Sequence, residues 1–167
     1  SSGMKVGLGT GSTVKHTVIE LGRMIAEEGL EIVGVPTSLA TEKLALEVGI
    51  PLVKLSDIDG LDVVIDGADE YDPQFQLIKG GGAALLREKI VAQESSGMVV
   101  VADDRKRVEK LGAFPLPIEI TPFAHQATIR VLGRTLDCRV NCRMAGDNPV
   151  ITDNGNLILD VHHLHPI

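Results

Sequence analysis

The sequence predicts an α/β fold: a Rossmann-like, mainly parallel β-sheet with helices on both faces, followed by a smaller, incomplete α+β domain of the ferredoxin-like type. Short apolar runs alternate with amphipathic segments of helical length through most of the chain, which is typical of β-α-β units. Hydrophobic residues make up 44% of the 167 residues and aromatic residues only 2%. The core is therefore expected to consist of Val, Ile, Leu and Ala, as in strands that are covered on both faces.

The first β-α unit begins with a strand over residues 4–8, which leads through the loop "GTGST" into an amphipathic helix. The apolar stripe of this helix consists of Val14, Val18, Leu21 and Ile25. These residues recur every three or four positions, as one face of a helix requires, and Gly29 is expected to end the helix.

Similar patterns continue the alternation up to residue 119. In order, the segments are a strand at 30–35, a helix at 38–48, strands at 51–55 and 61–65, a helix at 83–92, a strand at 97–103 and a short helix at 104–110. Strands that alternate with helices of this length require crossover connections, which are right-handed in nearly all cases. The sequence therefore predicts parallel pairing of these strands.

The pattern changes near Ile120, where we place the boundary between a first domain at 1–119 and a second at 120–167. In order, its segments are a helix at 122–132, a strand at 137–143 and two alternating apolar runs within 150–161. Asn154-Gly155 lies between those two runs, which predicts a β-hairpin. The second domain is therefore expected to contain antiparallel strands.

Charge and cysteine content limit the function classes. The formal net charge of −7 argues against nucleic acid or an anionic membrane as partner, because both require a basic surface, and favours a small polar ligand. The sequence has no signal-peptide pattern and no apolar run of about 18 residues, so we expect a cytoplasmic protein. Cys138 and Cys142 are too few for a disulfide framework. With His162, His163 and His165 they suggest zinc, but the spacing differs from that of a zinc finger, and no metal is predicted.

A glycine-rich loop joins the first strand to the first helix, over residues 7–13. Its backbone can approach a ligand closely, while the hydroxyls of Thr10, Ser12 and Thr13 and the helix amides can hold an anion such as phosphate. The loop fits neither the dinucleotide pattern, in which a glycine would replace Ser12, nor a Walker A loop, which needs a lysine. The alternative is a tight turn in which Ser12 caps the helix.

Clustered carboxylates follow the buried strand at 61–65. Asp66, Asp69 and Glu70 come at its carboxyl end, which is where a parallel sheet presents its ligand. Such a cluster suits general acid and base catalysis or metal binding. The alternative is a solvated turn held by Asx hydrogen bonds.

The segment "KGGGAALLREK", residues 79–89, contains three consecutive glycines directly before a helix. Because such a run is costly to order, its position suggests a backbone that must bend around a ligand. Lys79 precedes the run, and Glu88 could act as a base on a rigid helix. Alternatively, Glu88 is a surface residue that pairs with Arg87 or Lys89.

Charged residues also follow the strand at 97–103, namely Asp103, Arg105 and Lys106. Lys106 could meet a phosphate or a sugar hydroxyl at the carboxyl end of that strand. It could equally be a solvated charge at the start of a helix.

Taken together, these residues closely resemble the A-type ribose-5-phosphate isomerases. The resemblance runs from Met4 to about Val161 and is carried, in the family's order, by "GLGTGST", "VPTS", "DGADE", "KGGGAALLREKI", "VAD" followed by Lys106, "FPLPIEI" and "TDNGNLILDV". The pair "DGADE" and "KGGGAALLREK" is its most specific part.

The resemblance implies interconversion of D-ribose 5-phosphate and D-ribulose 5-phosphate through a cis-enediolate, in the pentose phosphate pathway and without metal or organic cofactor. It makes Glu88 the base that moves a proton between C2 and C1, and Asp66 the group that assists ring opening. Asp69 and Lys79 would stabilise the charge that develops at O1 and O2. The residues that would line the sugar phosphate are Thr10, Gly11, Ser12, Thr13, Asp66, Gly67, Ala68, Asp69, Lys79, Gly80, Gly81, Gly82 and Lys106.

Departures from the family lie at the ends of the chain. No helix precedes "GMKVG", and the closing helix and strand after the hairpin are missing, so we expect a fragment or the ordered part of a longer protein. The family implies a homodimer or homotetramer. A sugar-phosphate sensing domain of the same fold is the alternative function, but a sensor would be expected to lose Lys79 or Glu88. An amino-sugar phosphate deaminase or an acyl-CoA transferase should not carry the paired motifs.

Overall fold

The computed structural model describes residues 1–164, and their packing divides the chain into two compact units. Unit 1 comprises Ser1–Gly67 and Leu86–Ala102, whereas unit 2 comprises Ala68–Leu85 and the chain from Asp103 onward. Each unit thus combines two stretches of chain. The division into domains at 1–119 and 120–167 stays a prediction, since packing units need not be units that fold alone.

The secondary structure follows most of the predicted alternation. In chain order the elements are β1 Met4–Leu8, α1 Ser12–Glu28, β2 Ile32–Pro36, α2 Leu39–Glu47, β3 Val63–Asp66, β4 Glu70–Tyr71, β5 Leu77–Ile78, α3 Leu85–Gln93, β6 Met98–Val100, β7 Leu116–Ile120, α4 His125–Leu136, β8 Arg139–Cys142, β9 Met144–Ala145, β10 Asn148–Pro149 and β11 Leu157–His162. Single 3₁₀ turns lie at Leu55–Asp57 and Asp104–Lys106. Within residues 1–164, no helix has both the length and the apolar character needed to cross a membrane.

Unit 1 contains a four-stranded sheet in the order β2-β1-β3-β6, and every pairing in it is parallel, as predicted. One buried cluster packs Leu8 of β1 against Val14 and Val18 of α1. A second packs Val64 of β3 with Val91 of α3, so helices cover both faces of the sheet. Each such side chain contributes about 1.5–3 kcal/mol by its burial.

The register of this sheet positions two of the predicted motifs. Leu8 of β1 lies opposite Ile65 of β3, and the amide of Gly9 donates to the carbonyl of Ile65 at 2.9 Å. The glycine loop after β1 and Asp66 at the end of β3 therefore leave the sheet side by side. This edge is formed by the carboxyl ends of the strands, where parallel sheets bind ligands.

Unit 2 is built around a three-stranded antiparallel sheet in the order β7-β11-β8. The central strand buries Leu157, Leu159 and Val161. Two small antiparallel pairs, β4 with β5 and β9 with β10, also lie in the described part of this unit. The antiparallel α+β character predicted for the second part of the chain is confirmed.

The prediction of a strand at 51–55 is wrong. Only Leu52 pairs with β2, through a single bridge to Gly34, and a 3₁₀ turn begins at Leu55. Pro51 lacks an amide hydrogen, so it cannot donate to a sheet. The carbonyl of Pro51 and the amide of Val53 still bond Gly34, at 2.8 and 3.0 Å, and these bonds satisfy the edge of β2 locally.

Two further predictions need correction. The short helix expected at 104–110 is a 3₁₀ turn that ends at Lys106, because Arg107 bridges to Tyr71 and the amide of Val108 donates to the carbonyl of Tyr71. The turn at Asn154-Gly155 is present, but the segment before it pairs with β11 only through a single bridge between Ile151 and Leu157. The two edges of β11 are occupied by β7 and β8. The pairs β4–β5 and β9–β10 were not predicted.

Candidate active site

The glycine loop leads into α1 without a side-chain cap. Gly11 occupies the N-cap position with φ 124°, a conformation that glycine adopts without strain, and Ser12 is the first helical residue. The alternative in which Ser12 caps the helix is therefore wrong. In an uncapped first turn the helix amides point towards the loop, where the helix dipole favours an anion.

The hydroxyl of Thr10 belongs to a buried network rather than to the open side of the loop. Its oxygen lies 2.7 Å from the hydroxyl of Thr37 and 2.8 Å from that of Ser38, to which it donates. Thr41 completes the network at 3.2 Å and donates to the carbonyl of Gly9 at 2.9 Å. These bonds fix the loop to the start of α2, where Ser38 is the N-cap.

Asp66 is the last residue of β3 and is only 1% exposed. Its Oδ1 accepts hydrogen bonds from the amides of Thr10 at 3.1 Å and Gly67 at 2.8 Å. A Cβ on Gly9 would collide with this carboxylate. The carboxylate is thus held in one orientation by the backbone around it, and the reading of Asp66 as part of a solvated turn is wrong.

Glu88 lies in the first turn of α3 and is 5% exposed, so the reading of this residue as a surface glutamate is wrong. One turn further along the helix, Val91 packs against β1, where a Cβ on Gly7 would stand 2.7 Å from Val91 Cγ1. Gly7 therefore allows α3 to pack closely on β1. This close packing fixes the helix that carries Glu88.

In unit 2, Asp69 and the glycine run form one hydrogen-bonded group. The amide of Asp69 donates to the carbonyl of Ile78 at 2.8 Å, and its Oδ2 accepts from the amide of Gly81 at 2.7 Å. A Cβ on Gly81 would collide with the Asp69 carboxylate. This position of the run therefore requires glycine because Asp69 occupies the space of a side chain.

The remaining residues of this segment also constrain the backbone. Gly80 has φ 114°, and a Cβ there would stand 3.0 Å from Pro117 Cγ. Ala83 follows with φ 63° and donates its amide to the carbonyl of Gly80 at 3.1 Å. Lys79, directly before the run, is half-buried. The run is thus a defined bend and not a flexible linker.

Glu70, the third carboxylate of the "DGADE" cluster, holds a loop. It is 4% exposed, and its two carboxylate oxygens accept from the amides of Gly112 at 2.8 Å and Phe114. Both acceptor atoms are therefore committed to backbone donors. These bonds tie the end of the "DGADE" segment to the loop at 112–114.

The charges after β6 are more exposed. Arg105 hydrogen-bonds Asp103 and lowers the pKa of that carboxyl below its usual value. Lys106 ends the 3₁₀ turn and is half-buried. Of the three charged residues predicted after this strand, Asp103 and Arg105 form an ion pair with each other, and Lys106 does not take part in it.

The zinc hypothesis finds no support in the part of the chain that the structure describes. Residues 1–164 contain no group of three or more His, Cys, Asp or Glu side chains placed to hold a metal ion. The thiol of Cys138 lies 3.7 Å from the carbonyl of His163, and the rings of His162 and His163 are 6.3 Å apart. His165 lies outside the described residues.

Sequence reasoning missed Arg143, which touches the glycine run, and Asp160, which binds Arg143. Arg143, after β8, donates to the carbonyls of Gly80 and Gly81 and forms an ion pair with Asp160 of β11. Their only sequence signal is opposite charge at strand-like positions. Thr37 and Thr41 were also unassigned, although Thr37 lies within the quoted segment "VPTS".

Comparison with known proteins gives a consistent result. The sequence profile described as "Ribose 5-phosphate isomerase A (phosphoriboisomerase A)" matches residues 33–167. Ribose-5-phosphate isomerase A of Roseobacter denitrificans is 54% identical over an alignment of 167 positions, which covers 96% of this chain and 64% of that protein. The chain therefore spans somewhat less than two thirds of the length of this relative.

Solved structures give the same match. The ribose 5-phosphate isomerase A of Methanocaldococcus jannaschii aligns with a TM-score of 0.94 and 42% identity, over 99% of this chain and 74% of the other. A D-ribose-5-phosphate isomerase in complex with phospho-erythronic acid aligns with a TM-score of 0.91 and 42% identity, over 96% of this chain and 72% of the other.

Proposed function

This chain belongs to the ribose 5-phosphate isomerase A family, and we propose that it interconverts D-ribose 5-phosphate and D-ribulose 5-phosphate. The observation that carries the proposal is the burial of Glu88 in the first turn of α3. Burying a carboxylate costs free energy, so its position is better explained by chemistry than by stability. Asp66, equally buried at a strand's carboxyl end, supports the same conclusion.

The reaction needs a base for a proton that is only weakly acidic. In the open-chain aldose, the C1 aldehyde acidifies the hydrogen on C2, and Glu88 removes it. The electron pair of the broken C2–H bond forms the C1–C2 double bond, and negative charge develops on O1. Glu88 then returns the proton to C1 while the hydroxyl proton moves from O2 to O1, which leaves the ketone at C2.

The other acidic and basic groups take the remaining roles. Asp66 moves the proton between the anomeric hydroxyl and the ring oxygen, so that the sugar ring opens. The Lys79 ammonium stabilises the enediolate charge, and Asp69 orients the hydroxyl hydrogens at O1 and O2. Phospho-erythronic acid, bound by one solved relative, carries a planar carboxylate that resembles an enediolate, which supports a reaction through that intermediate.

The phosphate group is best accommodated at the start of α1. The uncapped first turn offers amide hydrogens, and the exposed Ser12 and Thr13 can add their hydroxyls. Thr10 contributes its backbone position rather than its hydroxyl, which is committed to the network with α2. Gly11, Gly67, Ala68, Gly80, Gly82 and Lys106 complete the proposed sugar-phosphate contacts.

The cellular setting and assembly follow from the same proposal. We expect a cytoplasmic enzyme of the pentose phosphate pathway that forms a homodimer or homotetramer and needs no metal or organic cofactor. Light scattering coupled to size-exclusion chromatography distinguishes these assemblies from a monomer.

The test is incubation with ribose 5-phosphate in heavy water, followed by NMR. We expect ribulose 5-phosphate to form and solvent deuterium to appear at the carbon that exchanges its proton with the base. Glu88→Gln should retain ligand binding and lose most of this turnover. Glu94→Gln is the matched control, because Glu94 follows the same helix but is exposed.

The outcomes separate the candidate functions. Absence of both product and exchange from folded protein would contradict the isomerase. Ligand binding without turnover would instead support the sugar-phosphate sensor. Normal turnover by Glu88→Gln would show that the base is another residue.

A further inference from the structure

Arg143 and Asp160 form a well-shielded ion pair in unit 2. Their side chains are 15% and 16% exposed, and the guanidinium binds the carboxylate through two parallel hydrogen bonds, of which Nε to Oδ2 is 2.9 Å long. Asp160 lies on the central strand β11, so it is anchored by pairing on both sides. A two-point contact of this kind fixes the plane of the guanidinium.

The third nitrogen of Arg143 points at the glycine run. Nη1 donates to the carbonyl of Gly80 at 2.7 Å and to that of Gly81 at 3.2 Å. A charged donor therefore holds a segment that, as three glycines, has high conformational entropy when unbound.

The contact reaches Asp69 through a single peptide plane. The peptide group that joins Gly80 to Gly81 presents its carbonyl to Arg143 and its amide to Asp69 Oδ2, at 2.7 Å in both cases. Hydrogen bonds at the two ends of one peptide polarise it in the same direction and strengthen one another. Rotation of this plane would weaken both bonds together.

We propose that Arg143, held by Asp160, is a positioning residue for the isomerase reaction. It fixes the Gly80–Gly81 peptide and, through that peptide, the orientation of the Asp69 carboxylate. Arg143 itself touches neither substrate nor reacting atoms in this scheme. The inference rests on the proposed function, because it assigns a catalytic consequence to Asp69.

The geometry favours this role over that of an ion pair that only links β8 to β11. The ion pair with Asp160 would suffice to join β8 to β11, whose backbones are already paired. Nη1 adds nothing to that sheet, since both of its acceptors lie in the glycine run, more than 60 residues earlier in the chain. Its function is therefore expected to concern that run.

The test compares Arg143→Gln and Arg143→Lys with Arg139→Gln, a control on exposed β8 surface. For Arg143→Gln we expect kcat to fall on the order of tenfold to a hundredfold, with KM changed much less, as for a misplaced catalytic group. Arg143→Lys keeps the charge but cannot make two parallel hydrogen bonds to Asp160. Its loss of kcat should therefore be intermediate. Millimolar guanidinium should restore part of the lost kcat, whereas sodium chloride at equal ionic strength should not.

A second readout does not depend on turnover. The amide proton of Gly81 should shift upfield in the NMR spectrum and exchange faster with solvent in both Arg143 variants, because its bond to Asp69 weakens. Asp160→Asn weakens the two-point contact with the guanidinium but retains Arg143. It should shift the Gly81 amide resonance in the same direction. If Arg143→Gln does not fold, the Gly81 amide can still be measured in Asp160→Asn.

The results separate this inference from the proposed function. Wild-type protein without isomerase activity would contradict the proposed function, whatever the Gly81 amide does. An active wild type with unchanged Gly81 resonances in the folded variants would overturn the positioning role. Wild-type kcat in variants whose Gly81 amide has shifted would overturn it as well.

Discussion

The carboxylate of Asp66 occupies the space in which a side chain on Gly9 would stand. The two residues meet because β1 and β3 are parallel neighbours whose ends leave the sheet together. The absence of a side chain at position 9 thus allows the loop to approach the carboxylate, whose Oδ1 then accepts the amide of Thr10. One glycine thus brings the glycine loop, the proposed phosphate site, into contact with the proposed acid.

We predict that Gly9→Ala lowers activity by displacing Asp66. The added methyl group must push the carboxylate or the Ile65 carbonyl aside, which should cost about 1–3 kcal/mol of stability. A catalytic group moved by roughly 1 Å can lose about a hundredfold in rate, so kcat should fall on the order of tenfold or more. Steady-state kinetics and urea denaturation measure the two effects.

The control is Gly97→Ala, because a Cβ at that position would meet no atom within 4 Å. Its kcat and unfolding midpoint should stay close to those of the wild type. A folded Gly9→Ala protein with normal kcat would contradict the assignment of Asp66 to catalysis.

Glu70→Gln should affect stability and leave the chemistry intact. The substituted amide group presents a donor to the amides of Gly112 or Phe114, where the carboxylate now offers acceptors only. One buried donor then lacks its partner, and the expected loss is about 1–3 kcal/mol. The urea midpoint should fall, while kcat measured below the transition should match the wild type.

Glu109→Gln is the matched control for this substitution, since the side chain of Glu109 is 82% exposed. It should leave the midpoint nearly unchanged. A large loss of kcat in folded Glu70→Gln would show that Glu70 takes part in the reaction after all.

The sequence predicted the parallel sheet because each of its elements repeats a local pattern. The apolar stripe of α1 and the apolar run of β3 both report burial directly. The run at 51–55 looked equally apolar, but pairing depends on a free strand edge and on amide donors, and Pro51 lacks one. Short pairs such as β4 with β5 have too few residues for any period to be visible.

The sequence motifs that we propose to be catalytic could be found without a structure, but the different surroundings of their carboxylates could not. Asp66, Asp69 and Glu70 look alike in "DGADE", yet only the structure shows that both oxygens of Glu70 are bound by a loop more than 40 residues away. Arg143 was invisible for the same reason, since it acts on Gly80 across 63 positions of the chain. Contacts of this kind have no periodic signature.

Thr10→Val should weaken the connection between the glycine loop and α2. Valine keeps the shape of threonine but removes the oxygen that lies near three hydroxyls, two of which are those of Thr37 and Ser38. The buried hydroxyls left behind should cost about 1–3 kcal/mol in the free energy of unfolding. We also expect KM for ribose 5-phosphate to rise, because the glycine loop that we propose to bind the phosphate would lose its hydrogen bonds to α2.

Thr10→Ser is the control, since it retains the hydroxyl and should behave much more like the wild type in both measurements. Equal stability and equal KM for the valine and serine variants would contradict the role assigned to this network.

The thiol of Cys142 should make stability sensitive to alkaline pH. Burial raises the pKa of this thiol, and the negative charge of Asp160 raises it further. Because the folded pKa lies above that of an unfolded cysteine, about 8.5, folding favours the protonated form. This contribution is fully present below the unfolded pKa and is lost as the pH rises through the raised folded pKa.

Urea denaturation of the wild type and Cys142→Ala at a series of pH values from 7 to 10 tests this linkage. The difference in unfolding free energy between the two proteins should shrink above the unfolded pKa, because the alanine variant has no thiol to ionise. A Cys142→Ala curve that runs parallel to the wild type throughout would mean that the thiol titrates alike in the folded and unfolded states.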